Sequence, residues 1–215
     1  IYVDQWDWER VITREERTKE YLIDTVEKIV GTICDTNELL KVDFPELSVN
    51  LNRKVKAITT QELEDMYPTL SPKERENAIT KEYGTVLLMQ IGKTLKSGKK
   101  HDGRAPDYDD WNLNGDLLYW CPALDCAIEL SSMGIRVDAE TLDKQLTISG
   151  CDDRRALQYH RMLLEGELPL TIGGGIGQSR LCMLLLGKAH IGEVQSSIWD
   201  ADTQRKCREA GITLL

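Results

Sequence analysis

A cluster of four glycines at the junction of a strand and a helix constrains this chain more than any other feature. Residues 170–181 read Leu-Thr-Ile-Gly-Gly-Gly-Ile-Gly-Gln-Ser-Arg-Leu and lead into an apolar segment. Glycines let a ligand approach the backbone closely because they have no Cβ. Arg180 adds one fixed positive charge at the beginning of the predicted helix. The segment therefore predicts a nucleotide site.

Two familiar glycine motifs are excluded by what surrounds this segment. A P-loop requires Gly-Lys-Ser or Gly-Lys-Thr, and neither follows Gly177. A dinucleotide-binding fold requires repeated strand-helix-strand units with a well-placed downstream acid, and that pattern is missing. The spacing is instead similar to motif 3 of class II aminoacyl-tRNA synthetases, in which a glycine strand lies under adenine and an arginine covers the base. A plain strand-to-helix turn with Arg180 as a solvated cap remains the alternative.

Size and charge limit the classes of protein to consider. The chain has 215 residues and no recognisable linker, so we expect residues 1–215 to form a single domain. A formal net charge of −9 argues against a nucleic-acid partner. The six cysteines show no metal-ligand spacing, and the sequence has neither an apolar run of membrane length nor a leader-like segment. These observations favour a cytoplasmic location without a membrane partner.

Hydrophobic periodicity and capping residues predict the strands and helices. Strands are predicted at residues 1–9, 54–58, 85–91, 113–120 and 126–137 and in the glycine segment. Helices are predicted from a capping box at residues 13–16 through an apolar stripe at 22–33, then at 60–66 capped by Thr60, at 71–84, at 138–148, at 153–165 capped by Asp152, and finally after the glycine segment. The segment 92–112 is predicted to be a long loop.

The segments on either side of Pro122 predict an antiparallel hairpin. With the shortest turn, Asp116 lies opposite Glu129, and with a loop two residues longer it lies opposite Ser131. In both registers Asp116 and Glu129 share a face. Two neighbouring carboxylates repel unless a cation neutralises them, and Mg²⁺ prefers such oxygen ligands together with phosphate. The hairpin therefore predicts a Mg²⁺ site, unless Asp116 is a turn acid and Glu129 pairs with a core arginine.

Other polar residues are candidates for substrate binding. Arg136 lies on the second hairpin strand, where its guanidinium could hold a carboxylate bidentately or form an ordinary salt bridge. The acids of segment 107–110 could hold an ammonium group or accept its proton, or could simply be solvated. Gln5 and Asp7 fall on a polar face of the first strand that either addresses the pocket or is exposed at a sheet edge.

Five segments match one known family in the family's order. They are YVDQWDWE at residues 2–9, RAPDYDDW at 104–111, LNGD at 113–116, ELSSMGIRV at 129–137 and the glycine segment. Taken together, the chain resembles the aspartate–ammonia ligases of the asparagine synthetase A family, which are relatives of the aspartyl- and asparaginyl-tRNA synthetase catalytic core.

The resemblance implies an α+β fold of the class II aminoacyl-tRNA synthetase type, with an antiparallel β-sheet flanked by helices, in a homodimer. It also implies ATP-dependent amidation of L-aspartate. The side-chain carboxylate attacks the α-phosphorus of MgATP, pyrophosphate leaves, and ammonia converts the β-aspartyl-AMP to asparagine and AMP. A synthetase-like enzyme that charges tRNA and a paralogue or fragment that binds nucleotide without turnover remain alternatives.

Residue roles follow from the matching motifs. The resemblance places Gln5, Asp110 and Arg180 in catalysis, with Asp110 receiving or orienting ammonia. Aspartate would be bound by these residues: Gln5, Asp7, Asp110, Ser131 and Arg136. The nucleotide would be bound by a second set: Asp116, Glu129, Leu130, Ser132, Gly173, Gly174, Gly175 and Arg180. Mg²⁺ would lie at Asp116 and Glu129.

Two features depart from the family. Family members continue before the first strand with motif 1, the motif 2 arginine and an aspartate-binding lysine, so we expect this chain to begin within its domain. The connection between Trp111 and Asn112 is also shorter than in the family. We therefore expect the isolated chain to have little synthetase activity, because the triphosphate lacks its main transition-state cation.

Overall fold

Six strands form one sheet in the computed structural model, which describes residues 2–215. They are β1 (Gln5–Val11), β2 (Lys56–Thr59), β3 (Thr85–Met89), β4 (Asp109–Cys121), β5 (Cys126–Arg136) and β6 (Thr171–Gly177). Their order is β1-β6-β5-β4-β3-β2. All neighbours are antiparallel except β2 and β3, which are parallel. The predicted α+β class is confirmed, with the correction that the sheet is mixed.

In the described part of the chain, seven α-helices and two 3₁₀ turns accompany the sheet. The helices are α1 (Lys19–Asp43), α2 (Thr60–Met66), α3 (Pro72–Tyr83), α4 (Ala139–Ser149), α5 (Gln158–Leu164), α6 (Gln178–Leu185) and α7 (Ala201–Glu209), and the 3₁₀ turns are Asp152–Ala156 and Ile191–Glu193. Within residues 2–215, no helix combines the length and the apolarity needed to cross a lipid bilayer.

Helix α1 begins later than its capping signals predict. The Glu16 carboxylate accepts the Thr13 amide at 2.8 Å, as a capping box requires, but the chain closes only a turn there. Thr18 is the true N-cap, and its hydroxyl accepts the amide of Tyr21. The predicted apolar stripe is confirmed: its most buried members pack against one face of the sheet in the main core.

The two short helices that follow were predicted closely. α3 has the expected capping box between Ser71 and Glu74 and ends at Gly84, whose φ of 77° favours glycine. α2 spans the predicted residues, but its cap is Thr59 rather than Thr60. Thr60 is instead buried, and its hydroxyl donates to the backbone oxygen of Gln90.

β3 is covered on both faces, as its continuous apolar run predicts. Leu87 and Met89 pack with α1 in the main core, whereas Val86 and Leu88 belong to a second cluster that includes residues of α2 and α3. The helices α2 and α3 cover this face over β3, β4 and the start of β5, where the Asn77 side chain accepts the amide of Ala127. The same face therefore continues toward β5, β6 and β1 as a polar surface, and the candidate site lies there.

Two further predicted elements differ from the structure, and one helix of the structure was not predicted. The helix predicted at 153–165 is divided, because Leu157 is extended between the 3₁₀ turn and α5, and Asp152 makes no capping hydrogen bond. The loop predicted at 92–112 ends earlier, because β4 begins at Asp109. Helix α7 was not predicted, although Asp200 accepts the amides of Asp202 and Thr203 as an ordinary N-cap. The first residue of the strand predicted at 1–9 lies outside the described residues.

Candidate active site

A cavity of about 430 Å³ opens on the polar face, between β1, β5, β6 and the first turn of α6. Eight of the predicted site residues line it: Gln5, Asp7, Glu129, Leu130, Ser131, Ser132, Gly175 and Arg180. The other predicted residues lie outside its lining: Asp110, Asp116, Arg136, Gly173 and Gly174. The structure therefore brings most of the two predicted substrate groups to one concave surface.

The glycines of β6 are required because side chains of β1 lie directly over them. Asp7 pairs with Gly175 in the strand ladder. A Cβ atom at position 175 would lie 2.5 Å from Asp7 Oδ1 and 3.2 Å from Gln5 Oε1. Gly174 points the other way, where a Cβ would lie 2.5 Å from the Cβ of Met133 in the core. Adjacent glycines thus serve opposite faces of the sheet.

Gly173 lies under a different polar group from Gly175. It pairs with Glu9, and a Cβ at position 173 would lie 2.5 Å from Arg136 Nη2. Only part of the glycine segment is therefore open to a ligand in this conformation. Gly175 and Gly177 line the cavity, whereas Gly173 is covered and Gly174 faces the core.

The β4–β5 hairpin adopts neither of the two registers considered from the sequence. Leu118 pairs with Glu129. Two residues earlier on β4, Asp116 pairs with Ser132, because β5 contains an extra residue at Leu130. This β-bulge is the correction to the predicted pairings of Asp116 with Glu129 or Ser131. Asp116 and Glu129 still share a face, because Asp116 and Leu118 are two residues apart and opposed residues point the same way.

The bulge also changes the position of Ser131. Its side chain is turned away from Asp116, and its hydroxyl donates to the backbone oxygen of Gly175 at 2.8 Å. Ser131 therefore joins β5 to β6 beneath the cavity. Ser132 takes the position opposite Asp116 and lines the cavity.

Asp116 is a buried carboxylate with one paired and one unpaired oxygen. Arg104, from the loop before β4, donates to Asp116 Oδ2, whereas Oδ1 is buried without a hydrogen-bond partner. Burial raises the pKa of Asp116 to about 6; Arg104 opposes this rise and the charge of Glu129 adds to it. The site is therefore short of positive charge even with Arg104 in place.

The same carboxylates fit a divalent cation that is shared with a substrate. Within residues 2–215, no cluster of three or more His, Cys, Asp or Glu side chains forms a complete metal cage. Asp116 and Glu129 supply two carboxylates, and Asp116 Oδ1 has an unused acceptor. Mg²⁺ is commonly bound by one or two carboxylates, with substrate phosphates and water completing its coordination.

Arg136 lies at the centre of a second charged group on this face. Its Nε and Nη2 donate to Glu9, at 3.1 and 2.8 Å, and its Nη1 donates to Asp109 at 2.5 Å. The guanidinium carbon lies 4.0 Å from the ring centroid of Tyr108. Sequence analysis left Arg136 open between a substrate carboxylate and a salt bridge, and in this conformation its donors are used by protein carboxylates.

The two carboxylates on Arg136 differ in exposure and in acidity. The Asp109 side chain is 6% exposed and that of Glu9 is 46% exposed. Burial raises the pKa of Asp109 in spite of Arg136. Burial acts to raise the pKa of Glu9, but hydrogen bonds from Arg136 and Thr171 and the charge of Arg136 together outweigh it, and the pKa lies below its usual value. Glu9 is thus the ionised and accessible partner of Arg136.

Asp110 is the predicted catalytic residue that the structure does not bring to this group. Its Oδ2 accepts Arg17 Nη2 at 3.0 Å, and its Oδ1 accepts the backbone and side-chain amides of Asn112. Both members of the Arg17–Asp110 pair are buried. Successive side chains of a strand alternate between faces, so only one of the two adjacent aspartates can face Arg136, and that residue is Asp109.

Arg180 connects the α6 side of the cavity to the hairpin. It lies in the first turn of α6, after Gly177, which is the N-cap of that helix. Its Nη1 donates to the backbone oxygen of Glu129 at 2.8 Å and lies 3.5 Å from the Glu129 carboxylate. The side chain is half exposed toward the cavity, so its guanidinium is accessible to a ligand.

Sequence reasoning missed four residues that the structure places on this face: Glu9, Arg104, Tyr108 and Asp109. Glu9 could have been found, because it continues the alternation of Gln5 and Asp7. Tyr108 and Asp109 belong to a segment that was singled out, but the strand phase needed to choose among its acids was missing. Arg104 carried no signal of its own, because only the folded loop brings it to Asp116.

The fold places the chain with the class II aminoacyl-tRNA synthetase catalytic domains. It matches the asparaginyl-tRNA synthetase of Entamoeba histolytica with a TM-score of 0.63 and 18% identity, over 88% of this chain and 45% of that one. The asparaginyl-tRNA synthetase of Pyrococcus horikoshii matches with a TM-score of 0.61 and 18% identity, over 86% of this chain and 46% of that one. At these identities the likeness shows the fold alone.

The sequence narrows this class to one family. The family described as Aspartate-ammonia ligase matches residues 1–211, so the chain belongs to the aspartate–ammonia ligase family. It is 62% identical to the aspartate–ammonia ligase of Clostridium tetani over 215 residues, which cover 100% of this chain and 63% of that protein. It is 61% identical to that of Levilactobacillus brevis over 214 residues, covering 100% of this chain and 64% of that protein. The chain thus spans less than two thirds of these relatives.

Proposed function

We propose that this chain provides most of the nucleotide and aspartate pocket of an enzyme that amidates L-aspartate with ammonia at the expense of ATP. The observation that carries the proposal is the single polar cavity lined by Arg180, Glu129 and Asp7 in a member of the aspartate–ammonia ligase family. Its charges suit the two ends of the reaction. Arg180 and Glu129 face one end, where Asp116 shares the face of Glu129 outside the lining, and Asp7 and Gln5 face the other.

The nucleotide lies on the α6 side of the cavity in this proposal. Arg180 contacts the nucleotide, and Gly175 with Gly177 leaves room for a flat base or a phosphate at the backbone. Asp116 and Glu129 would hold Mg²⁺ together with the triphosphate, and the ion would supply charge neutralisation at the α-phosphorus. Arg104 would then leave Asp116 and become available to the phosphates, since two cations on one carboxylate repel each other.

Aspartate lies on the β1 side. The edge of Arg136 that now meets Glu9 receives the α-carboxylate, because Glu9 is the exposed partner and is the more easily displaced. Gln5 and Asp7 surround the side-chain carboxylate that attacks the α-phosphorus of ATP. Pyrophosphate leaves, and β-aspartyl-AMP remains bound. Alignment and charge neutralisation supply the acceleration, since the proposal requires no protein nucleophile.

Ammonia completes the reaction by attacking the acyl carbon of the adenylate. The C–N bond forms, the bond to AMP breaks, and one proton must leave the nitrogen. We propose Asp7 as the carboxylate that receives this proton in place of Asp110, whose oxygens are occupied by Arg17 and Asn112. Asp7 lines the cavity, whereas Asp109 is neutralised by Arg136.

The larger-scale features of the resemblance are part of the same proposal. The three hydrophobic clusters share one sheet or its flanking helices, which supports a single catalytic domain. A homodimer and a cytoplasmic location accompany the reaction in this proposal. Light scattering of the purified protein, with and without MgATP and aspartate, tests the dimer.

The decisive experiment measures products from MgATP, L-aspartate and ammonium chloride. Asparagine, AMP and pyrophosphate in equal amounts support the proposal, whereas ADP and phosphate would contradict it. Parallel reactions with tRNA in place of ammonia distinguish a synthetase that charges tRNA. ATP binding without aspartate-dependent pyrophosphate release would favour the alternative in which the chain binds nucleotide without turnover.

A further inference from the structure

Segment 104–111, which joins the β3–β4 loop to the start of β4, carries three of the groups on the site face. Arg104 pairs with Asp116, while Tyr108 and Asp109 both contact Arg136. Most of the segment precedes β4, where a backbone hydrogen bond from the amide of Val137, directly after β5, to the oxygen of Tyr108 holds it at one point. Its side chains can be placed accurately only if the backbone on both sides of Tyr108 is held as well.

Gln145, on α4, holds that backbone at three points. Its Oε1 accepts the backbone amide of Trp111 at 2.9 Å, and its Nε2 donates to the backbone oxygens of Pro106 at 2.8 Å and Asp109 at 3.1 Å. All three hydrogen bonds are buried, and the residue is 4% exposed. One side-chain amide therefore satisfies the polar groups of a loop that would otherwise be buried unpaired.

The chemistry of the three contacts selects an amide at this position. The segment presents one donor, the amide of Trp111, and two acceptors, the oxygens of Pro106 and Asp109. Glutamine offers the complementary set of one acceptor and two donors, whereas glutamate offers acceptors alone. A glutamate at 145 would keep the bond from Trp111 and repel the two carbonyl oxygens.

The opposite side of the segment is fixed as well. Asp107 Oδ2 lies 2.8 Å from His160 Nε2 and accepts Arg154 Nη1 at 2.8 Å. These bonds tie the segment to α5 and to the 3₁₀ turn before it. They hold its outer side chain, however, whereas Gln145 holds the backbone on both sides of Tyr108.

We propose that Gln145 is a positioning residue for the aspartate half of the site, which it does not itself contact. By fixing the carbonyl groups of Pro106 and Asp109, it sets the Asp109 carboxylate and the Tyr108 ring on Arg136. Arg136 then holds the edge that now meets Glu9 in one fixed direction. The effect on aspartate rests on the proposed function, whereas the effect on the segment does not.

The test compares Gln145→Glu with the wild-type chain and with Gln158→Glu. Gln158→Glu makes the same chemical change at an exposed position at the start of α5. Hydrogen exchange of the peptide covering 105–111 is measured first, without ligand. Calorimetry then gives the dissociation constants of the Mg²⁺ complex of α,β-methylene-ATP, and of L-aspartate in its presence. If Gln145→Glu does not fold, the uncharged Gln145→Met replaces it.

We expect faster exchange in segment 105–111, together with aspartate affinity reduced about tenfold and nucleotide affinity within about twofold of wild type, as one lost set of hydrogen bonds would cause. Gln158→Glu should match wild type in hydrogen exchange, aspartate affinity and nucleotide affinity. Unchanged exchange in Gln145→Glu overturns the inference whether or not ligands bind. Faster exchange with unchanged aspartate affinity, or equal loss for both ligands, also overturns it, because either result means a merely structural role. A wild-type chain that binds neither ligand refutes the proposed function instead, and exchange alone then decides whether Gln145 orders the segment.

Discussion

Arg104 donates to one oxygen of the Asp116 carboxylate, and the other oxygen is buried without a partner. This ion pair thus joins a buried carboxylate that lacks a second hydrogen-bond donor to a loop arginine that is only partly buried. Glu129, on the same face, makes the shortage of positive charge worse. This relationship explains why the nucleotide half of the site should respond to pH, to divalent ions and to single charge changes.

Replacing Asp116 by asparagine should stabilise the fold at neutral pH. The pKa of Asp116 is about 6 in the folded chain, against about 3.9 in an unfolded one, so ionisation above pH 6 costs up to about 3 kcal/mol. A raised pKa means that the contribution of Asp116 to stability is greatest below pH 4 and is lost as the pH rises through 6. Urea unfolding of Asp116→Asn should therefore give a higher free energy than wild type at pH 7 and an equal one at pH 4.

The control for this prediction is Asp125→Asn, an exposed aspartate whose substitution should change the free energy of unfolding little at either pH. A destabilised Asp116→Asn protein at pH 7 would show that the bond from Arg104 outweighs burial.

Removing Arg104 should strengthen divalent-ion binding. In this conformation the Arg104 guanidinium pairs with Oδ2 of the carboxylate whose Oδ1 is free for a metal, so its positive charge opposes an ion on that carboxylate. Mn²⁺ titration followed by electron paramagnetic resonance, in the absence of nucleotide, should show tighter binding to Arg104→Met than to wild type. The gain should disappear in Arg104→Met combined with Asp116→Asn. Equal Mn²⁺ affinity of Arg104→Met and wild type would mean that Arg104 and the ion do not compete for the Asp116 carboxylate.

Arg180 should contribute to nucleotide affinity and not to aspartate affinity. Loss of a charge-assisted hydrogen bond costs about 1.5 to 3 kcal/mol, so Arg180→Ala should weaken ATP binding about tenfold to a hundredfold. Calorimetry with MgATP measures the change, and Arg205→Ala, on α7, controls for the loss of one exposed positive charge. Unchanged ATP affinity would remove Arg180 from the nucleotide site.

The sequence predicted which strands carry the site residues better than it predicted which residues pair with each other. The polar alternation of Gln5 and Asp7, and the glycines that must lie beneath them, could both be read from local patterns, because each is a property of one strand. The two-sided burial of β3 was predicted for the same reason, whereas the fold class was predicted from the resemblance to a known family. A local sequence pattern predicts the structure of an element correctly when the element is long or its pattern is continuous.

The parts that could not be predicted depend on contacts between distant segments. The bulge at Leu130 changes the hairpin register by one residue, and no residue pattern at the turn predicts it. The choice between Asp109 and Asp110 depends on where β4 begins, which is set partly by Gln145 on a later helix. The Arg104–Asp116 pair requires a loop to fold back over the sheet. Sequence periodicity contains none of this information.

Glu9 should compete with aspartate for Arg136. It is the more exposed of the two carboxylates on that guanidinium, and its pKa lies below the usual value, so it is ionised at neutral pH. Glu9→Gln keeps a hydrogen-bond acceptor but removes the charge, and it should therefore bind aspartate a few-fold more tightly, as measured by calorimetry with a saturating ATP analogue. Asp109→Asn is the contrasting variant and should weaken binding, because Asp109 is buried and orients Arg136. Weaker binding by Glu9→Gln would mean that Glu9 also orients Arg136.

A methyl group at position 175 should disrupt the site and lower stability together. The added Cβ would lie 2.5 Å from Asp7 Oδ1, so Asp7 or the whole of β1 must move. Overpacking of this kind costs about 1 to 3 kcal/mol, which urea unfolding of Gly175→Ala should detect. Gly103→Ala is the matched control, because a Cβ there meets no atom within 4 Å. Aspartate affinity should fall in Gly175→Ala and stay constant in Gly103→Ala. If Gly175→Ala were as stable as wild type and bound aspartate equally well, the close approach of β1 to β6 would not be what requires glycine at this position.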